Sequence, residues 1–313
     1  MRKLFLGTVA LLFATLVSAQ ELNVGCFNIK NGRSLGPNEE TPKRGDYAQF
    51  NGWDHRKDVL CDMMNLEAFD VVGLQEVRHG QLRCMAEKMP DYAYVGVARD
   101  DGATKGEYCP VFYRKNDFKL LDSGTFWLSE TPEKVSKGWD AACNRICTWA
   151  YLQRNSDKAR FYFLSVHFDH RGKTAKMEGS KLVVDWVKKN CKGKNVIIVG
   201  DFNYEPDKEF YKVFSDNGVL KDAFDLAKYR FFPTGSFSAF KPERFTTNRG
   251  DHIFVSKGIK VSRYGVLTYH YYRDLGGDEM PMDTAAPVDI KGENREIKVM
   301  SDHYPVQVFV TLK

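Results

Sequence analysis

Polar side chains that suit metal binding and proton transfer follow several hydrophobic, strand-like segments of this 313-residue chain. Asn28 ends the segment LNVGCFNI, Glu76 follows VVGLQ, and His167 ends FLSVH. Asp201 and Asn203 follow VIIVG. Carboxylate and amide oxygens suit hard cations such as Mg²⁺, and a carboxylate near a histidine suits proton transfer to or from water. Strands that leave a core in the same direction deliver such side chains to one edge of a sheet.

A further pair, Asp302-His303, stands at the start of the strand-like segment HYPVQVFVTL rather than at its end. An antiparallel strand brings its start to the edge where its neighbours end, so this pair is expected at the same edge. Each of these residues alone is more typical of a turn or a helix cap. Their joint occurrence in one chain is the informative signal.

The elements that must position these side chains alternate irregularly. Helices are predicted over four stretches: 54–66, 78–88, 172–190 and 207–217. Strands are predicted over 22–29, 70–75, 92–97, 109–114, 118–127, 145–153, 161–167, 195–200, 251–256, 260–268 and 303–311. Neighbouring strands occur both with and without an intervening helix, which predicts an α/β protein with mixed sheets. With no linker or repeat in view, residues 20–313 are predicted to form a single domain.

Composition limits the class of protein. With 43% hydrophobic and 28% charged residues, the chain is neither disordered nor collagen-like nor a small disulfide knot. Its formal net charge of +5 is too small to imply the basic stripe of a duplex-DNA binder. Recognition of a phosphate must therefore come from a local site.

Residues 1–19 are expected to be a secretory signal peptide. A basic head at residues 1–3 precedes an uncharged run over 4–17, and Val17-Ser18-Ala19 is a small-residue cleavage signature before Gln20. The apolar run is shorter than the roughly 20 residues of a bilayer span, so a retained anchor is the lesser alternative. The sequence predicts a secreted or periplasmic protein without stable membrane insertion, which we expect to be a monomer.

The seven cysteines do not form a zinc-binding pattern, because there is no Cys-x-x-Cys pair. Cys26 and Cys147 lie in apolar strand segments and are predicted to be buried thiols. In an exported protein disulfides persist, and the odd count leaves at least one cysteine unpaired. Pairing among Cys61, Cys84, Cys143 and Cys191 is left open.

Two irregular segments are long enough to be functional. Residues 230–250 combine five phenylalanines with turn residues, and residues 271–297 form a polar, charged loop. Core packing of the phenylalanines and a solvated insertion at 271–297 fit the sequence equally well.

Six segments in order, FNIKNG, GLQEV, SVHFDH, VGDFNYEP, GDHIFVS and SDHYPV, resemble the endonuclease/exonuclease/phosphatase superfamily. That superfamily includes deoxyribonuclease I, abasic-site endonucleases, deadenylases, inositol-polyphosphate 5-phosphatases and neutral sphingomyelinases. The resemblance spans about residues 22–312. It implies a four-layer α/β sandwich of two packed mixed β-sheets flanked by helices, with the active site at the shared edge of the sheets.

Phosphate-ester hydrolysis benefits from a hard cation that polarises the phosphoryl oxygen. Glu76 is the expected direct ligand of Mg²⁺, with Asn28 and Asp302 close by or acting through water, and Mn²⁺ or Ca²⁺ are the alternatives. By resemblance, Asp201 orients and deprotonates the attacking water, and Asn203 donates a hydrogen bond to the phosphate.

The resemblance also implies a histidine clamp on the phosphate. His303 would contact the scissile phosphate, and Asp251 in GDHIFVS would accept a hydrogen bond from it and hold its orientation and charge. No Gly-x-Ser-x-Gly elbow or cysteine-histidine pattern is present, so direct in-line attack by water is the expected mechanism.

A second pair is implied by the deoxyribonuclease I pattern. Glu107 in GEYCPVFYR would pair with His167 and assist protonation of the leaving group, while Arg145 would bind a phosphate oxygen. A surface ion pair between Glu107 and Arg145 is the alternative. Asp169 and Asn28 are further candidates for substrate binding.

Three functions are open at this point. The leading one is hydrolysis of phosphodiesters in single-stranded nucleic acid or nucleotides, with Phe231, Phe232 or Phe237 stacking on a base near the metal. The second is hydrolysis of a small phosphomonoester or lipid head group in a closed polar pocket under 271–297. The third is a phosphate-binding module without catalysis.

Overall fold

The computed structural model describes residues 20–32, 51–276 and 295–313. The predicted signal peptide and the middle of the predicted 271–297 loop lie outside these residues. No helix in the described ranges is long and apolar enough to cross a membrane.

Five helices and fifteen strands are found in the described ranges. The helices are α1 (Trp53–Glu67), α2 (His79–Lys88), α3 (Lys173–Asn190), α4 (Glu209–Ser215) and α5 (Ala223–Leu226). The strands are β1 (Leu22–Asn28), β2 (Val71–Gln75), β3 (Tyr92–Val95), β4 (Val111–Arg114), β5 (Phe118–Trp127), β6 (Ile146–Arg154), β7 (Arg160–His167), β8 (Asn195–Asp201), β9 (Leu220–Asp222), β10 (Tyr229–Phe231), β11 (Asp251–Ser256), β12 (Lys260–Val266), β13 (Tyr271–Asp274), β14 (Arg295–Lys298) and β15 (Val306–Thr311).

Two large mixed sheets dominate the fold. One has the strand order β10-β12-β15-β1-β2-β4-β3, and the other has the order β5-β6-β7-β8-β11-β9. Parallel pairs, β1 with β2 and β7 with β8, sit at the centre of sheets whose other central pairs are antiparallel. The predicted α/β class and mixed sheets are confirmed.

Alternation of side chains along the strands produces four layers, because successive strand residues point to opposite faces. In β8, Ile197 and Val199 pack into the core between the sheets, whereas Val196 and Ile198 pack under α3 and α4. Helices α1 and α2 cover the outer face of the other sheet through a third cluster that contains Trp53. The predicted four-layer sandwich is confirmed.

The sheets approach closely at Gly73 on β2. A Cβ atom at this position would lie 2.3 Å from Cγ2 of Val199 and 2.9 Å from the side chain of Ser165. Any side chain at residue 73 would therefore push the two sheets apart. Gly73 lies three residues before Glu76, which directly follows β2.

The antiparallel strand expected near the end of the chain is present. β15 pairs antiparallel to β1, with Val306 opposite Cys26. The residues that precede β15 therefore reach the edge where β1 ends at Asn28.

The shortest elements were not predicted. β9, β10 and α5 have three or four residues each, too few for a periodic pattern to be detected. The predicted polar loop 271–297 begins and ends in strands instead, since β13 and β14 pair with each other. All seven cysteines are free thiols, and Cys26 and Cys147 are fully buried as predicted.

Candidate active site

Strand register brings three of the predicted residues into one row across the second sheet. His167 pairs with Asp201, and Asp201 pairs with Asp251 on its other side. All three are buried. His303 reaches the row from the first sheet, in the loop before β15. The two sheets therefore meet at a site whose centre is Asp201.

His303 is held by the carboxylate of Asp251. Its Nδ1 donates to Oδ2 of Asp251 at 2.7 Å, and its Nε2 lies 3.7 Å from Oδ2 of Asp201. Burial alone would lower the pKa of His303, but Asp251 and Asp201 raise it to about 10. The side chain is therefore an imidazolium that can donate from Nε2 toward a phosphate.

Each carboxylate oxygen of Asp201 accepts a hydrogen bond. Its Oδ2 accepts from Nδ2 of Asn28 at 2.9 Å, and its Oδ1 accepts from the backbone N–H of Asn203 at 2.9 Å. The ring nitrogen Nε2 of His167 lies 3.4 Å from Oδ2. Burial raises the pKa of Asp201 to about 6, although the charge of His303 opposes the rise. A buried carboxylate between two imidazoles is suited to orient water and accept its proton.

His167 is a neutral imidazole. Burial and the charge of Arg145 lower its pKa well below the ordinary value. Its Nε2 lies 3.0 Å from Nδ2 of Asn203, whose amide also donates to the carbonyl of Phe168 at 3.1 Å. Asn203 thus holds both His167 and Asp201 in place. The two hydrogen bonds of its side-chain amide go to His167 and to the carbonyl of Phe168.

The predicted metal ligands Glu76 and Asp302 face one positive charge. Nζ of Lys30 lies 2.9 Å from Oδ2 of Asp302 and 3.6 Å from Oε2 of Glu76. Burial would raise the pKa of Glu76, but Lys30 and hydrogen bonds from Asn31 and Asn28 lower it. The ammonium stands where a cation between the two carboxylates would lie, so these oxygens fit a divalent metal.

Asn28 does not present its oxygen as a metal ligand in this arrangement. Its Nδ2 donates to Glu76 at 3.2 Å and to Asp201, while its Oδ1 accepts from the backbone N–H of Lys30 at 3.0 Å. The amide group of Asn28 therefore bridges the carboxylate of Glu76 to the carboxylate of Asp201. We therefore assign Asn28 a positioning role in place of the expected ligand and substrate contacts.

A second arrangement of metal-binding atoms lies beside the first. Ligand atoms of Asp201, Asp251 and His303 lie within 4.8 Å of one another, and Oδ1 of Asp251 has no hydrogen-bond partner in the described part of the chain. A doubly protonated imidazolium has no lone pair for a metal, however. Glu76 and Asp302, which offer oxygens only, stay the predicted cation ligands.

Three of the eight non-glycine residues with positive φ in the described part of the chain lie at this site. Lys30, Glu76 and Asn203 have φ values of 55°, 60° and 54°, in the left-handed region that residues other than glycine rarely adopt. Each follows the end of a central strand by one or two residues. Such strain persists where surrounding contacts hold it, and it is typical of functional sites.

Glu107 does not pair with His167 as predicted. Its Oε2 forms an ion pair with Nη1 of Arg99, and its Oε1 accepts from Nδ2 of Asn31 at 3.0 Å. Burial and the nearby charge of Glu76 raise the pKa of Glu107. The alternative, a surface pair with Arg145, is also wrong, because Glu107 is buried and Arg99 is its partner.

Asp169 supports the site from behind. Its buried carboxylate accepts from the backbone N–H groups of Arg171 and Gly172 and from Nε of Arg145. Burial would raise the pKa of Asp169, but these donors lower it to about 2. Asp169 therefore positions Arg145, and the predicted substrate contact is not supported. Arg145 itself lines the pocket, and its binding of a phosphate oxygen stays a prediction.

Two pockets open on the site and share its central residues. One, of about 410 Å³, contains the metal-side residues and Arg145; the other, of about 450 Å³, extends past Asn203 toward α3 and α4. Both are lined by Asp201, Asn203, Phe237 and His303. These volumes fall within the range of about 300–1,000 Å³ found for small-molecule sites.

Only one of the three predicted stacking residues lines these pockets. The ring of Phe237 packs edge-on against His303, with centroids 5.0 Å apart. Phe231 is an exposed residue of the edge strand β10, and Phe232 packs against Phe224. Of the three alternatives, Phe237 is therefore the one that the structure leaves for stacking, because all three residues of β10 are exposed and Phe232 packs against Phe224.

Lys30, Asn31 and Arg99 are site residues that sequence reasoning missed. Lys30 and Asn31 were visible inside FNIKNG, directly after a predicted strand. Arg99 follows the predicted strand 92–97 but carries no motif, and only the structure shows that it takes Glu107 away from His167.

A model of the Endonuclease/Exonuclease/phosphatase family matches residues 22–303, so the chain belongs to this family. It is similar to a family member from Bacteroides thetaiotaomicron at 37% identity and a TM-score of 0.81, covering 93% of this chain and 98% of that one. A mannosyl-6-phosphatase of Bacteroides thetaiotaomicron VPI-5482 is also 37% identical, with a TM-score of 0.79 and 92% and 99% of the two chains covered. A protein of Acanthamoeba polyphaga mimivirus is 28% identical over 281 residues, which are 85% of this chain and 96% of that protein. The family identifies the protein as a phosphoesterase by class.

Proposed function

We propose that this protein is a divalent-metal-dependent phosphomonoesterase that removes phosphate from a phosphorylated sugar by direct in-line attack of water. The observation that carries the reaction class is the position of Asp201, between two imidazoles and joined through Asn28 to the carboxylate of Glu76. This arrangement supports assigning water activation, phosphate binding and cation binding to neighbouring groups where the two sheets meet.

Each group has a defined task in this mechanism. Asp201 orients the water and accepts its proton, and His303, held by Asp251, donates to a non-bridging phosphate oxygen. Arg145 adds a fixed positive charge beside the phosphate. A divalent ion held by Glu76 and Asp302 would polarise the phosphoryl group and offset developing charge. Mg²⁺ is the ion proposed, with Mn²⁺ or Ca²⁺ as substitutes.

The choice of a sugar phosphate rests on the similarity to the mannosyl-6-phosphatase, which extends over nearly the whole of both chains. Two adjoining pockets of small-molecule size agree with it. A small phosphomonoester was the second hypothesis from the sequence, and it now precedes nucleic acid.

Nucleotides or single-stranded nucleic acid are the second candidate function. Phe237 favours them, because its ring lies beside the imidazole that would hold the phosphate and carries the guanidinium of Arg244 over its face at 5.2 Å. A base stacked on this ring would lie next to its own phosphate.

The proposal includes export and a monomeric state. The signal pattern over residues 1–19 supports export to the periplasm or the medium. Size-exclusion chromatography with light scattering, and mass spectrometry of the mature N-terminus, test these two points.

Phosphate release tests the function. The full-length protein is assayed with mannose 6-phosphate, glucose 6-phosphate, AMP, bis(p-nitrophenyl) phosphate and single-stranded DNA, with Mg²⁺, Mn²⁺, Ca²⁺ or EDTA. We expect hexose phosphates to be hydrolysed best, with loss of activity in EDTA and in Asp201→Ala. Preference for DNA or the diester would reverse the order of the two candidates. Metal binding without any turnover would leave only the non-catalytic module.

A further inference from the structure

We infer that the pocket beyond Asn203 is a hydroxyl-reading subsite that binds the sugar ring of the substrate while its phosphate lies over Asp201 and His303. This inference rests on the proposed function and adds the residues that select the substrate. The pocket has a volume of about 450 Å³ and is continuous with the catalytic residues that it shares with the metal-side pocket.

Its recognition element is a pair of side chains, Glu205 and Asn248. Nδ2 of Asn248 donates to Oε1 of Glu205 at 2.7 Å. No described residue hydrogen-bonds to Oε2 of Glu205 or to Oδ1 of Asn248, so each of these two pocket-lining residues keeps an acceptor oxygen for a ligand. Hydroxyl groups are donors that match them, whereas a second phosphate would be repelled by the carboxylate.

The pocket also offers an apolar surface for a ring. The partly exposed ring of Phe237 lines both pockets. Phe210, in the first turn of α4, also lines this one. A pyranose has one face of C–H groups, which pack on an aromatic ring, and a rim of hydroxyls, which need polar partners. An aromatic surface next to two acceptors matches that pattern.

Basic side chains also line this pocket. Arg171, Lys173 and Lys208 line it, and Nζ of Lys176 donates to the carbonyl of Asn203 at 3.0 Å. Lys176 thereby fixes positive charge at the boundary with the catalytic residues. A positive rim attracts an anionic sugar phosphate without contacting the hydroxyls.

The test compares sugar phosphates that differ by one hydroxyl. The full-length protein and its Glu205→Gln, Glu205→Ala and Asn248→Ala variants are assayed with mannose 6-phosphate and with its 2-, 3- and 4-deoxy analogues. We expect the wild type to discriminate against at least one analogue by about tenfold or more in kcat/KM, because its acceptors lose a hydroxyl donor. In Glu205→Ala and Asn248→Ala, the ratio of kcat/KM for mannose 6-phosphate to kcat/KM for the deoxy analogue should fall toward one. We expect the change to come mainly from a higher KM for mannose 6-phosphate.

Glu209→Ala, an exposed glutamate outside the pocket, is the matched control. Glu205→Gln keeps the shape of the side chain and serves if the alanine variant is unstable. A ratio that is unchanged in folded Glu205→Gln and Asn248→Ala would overturn the subsite while leaving the phosphatase proposal intact. Failure of the wild type to hydrolyse any sugar phosphate would instead overturn the proposed function.

Discussion

Nδ1 of His303 lies 2.7 Å from Oδ2 of Asp251, and this hydrogen-bonded ion pair joins the two sheets. Asp251 begins β11 of one sheet, whereas His303 precedes β15 of the other. The pair is buried, so each charge depends on the other for compensation. The same contact therefore links the two sheets and supports the charge of the histidine that we propose binds phosphate.

Replacing Asp251 should disable the histidine clamp. In Asp251→Asn, the imidazole loses the charge that keeps it protonated and oriented, and we expect kcat to fall by about 10²–10⁴-fold. Steady-state kinetics measures the loss, and circular dichroism checks the fold. Asp62→Asn, on the exposed face of α1, is the control. A decrease of less than tenfold in a folded Asp251→Asn would exclude this role.

Lys30 should compete with the metal. Its ammonium neutralises Glu76 and Asp302, so Lys30→Met leaves two carboxylates facing each other without that charge. We expect the metal-free variant to melt at a lower temperature and to bind Mg²⁺ or Mn²⁺ about tenfold more tightly. Isothermal titration calorimetry and thermal melts with and without EDTA measure both effects.

A lysine in an exposed ion pair provides the comparison for Lys30. Lys181→Met removes a partner of Glu178 on the surface of α3 and should leave metal affinity unchanged. Equal metal affinities for wild type and Lys30→Met would show that the cation binds elsewhere.

Asp169 should make stability depend on acidity. Its pKa of about 2 in the folded protein is below the ordinary value of about 3.9, so its stabilising effect is present above pH 4 and is lost as the pH falls toward 2. We expect Asp169→Asn to lower the free energy of unfolding by about 1–2 kcal/mol at pH 7 and by progressively less below pH 4.

Urea unfolding at pH 7, 4 and 3 measures this difference. The exposed Asp91→Asn variant is the control for loss of a surface carboxylate. A difference between wild type and Asp169→Asn that stays constant from pH 7 to pH 3 would contradict the assignment.

Gly73 should not accept even a methyl group. The Cβ of Gly73→Ala would lie 2.3 Å from Val199, and separating the sheets should cost about 1–3 kcal/mol in the free energy of unfolding. At Gly265 the nearest atom to an added Cβ is 3.7 Å away, so Gly265→Ala should be tolerated. Urea unfolding of both variants compares them, and equal stabilities would contradict the close approach.

Strand ends and motif order were sufficient to predict the central site. Asp201, His303, Asp251 and Glu76 come together because each lies at the end of a strand, or within three residues of one, whose hydrophobic pattern is strong. Their placement depends on register, and register is determined by which face of each strand is apolar.

Contacts that depend on competition between side chains were not predictable. Glu107 bonds to Arg99 because a nearby guanidinium outcompetes a neutral, buried imidazole at His167. The carboxylate of Asp169 accepts hydrogen bonds from the backbone N–H groups of Arg171 and Gly172, two and three residues later in the chain. These local bonds hold it away from the substrate. Neither outcome follows from hydrophobic periodicity.

The antiparallel pairing of β1 with β15 has a consequence for biosynthesis. A nascent chain that ends at residue 300 lacks Asp302, His303 and the strand that pairs with β1. It therefore has no phosphate clamp, and one side of β1 has no hydrogen-bonding neighbour. The proposed hydrolytic activity is therefore expected only after synthesis has passed residue 311 and β15 has paired with β1.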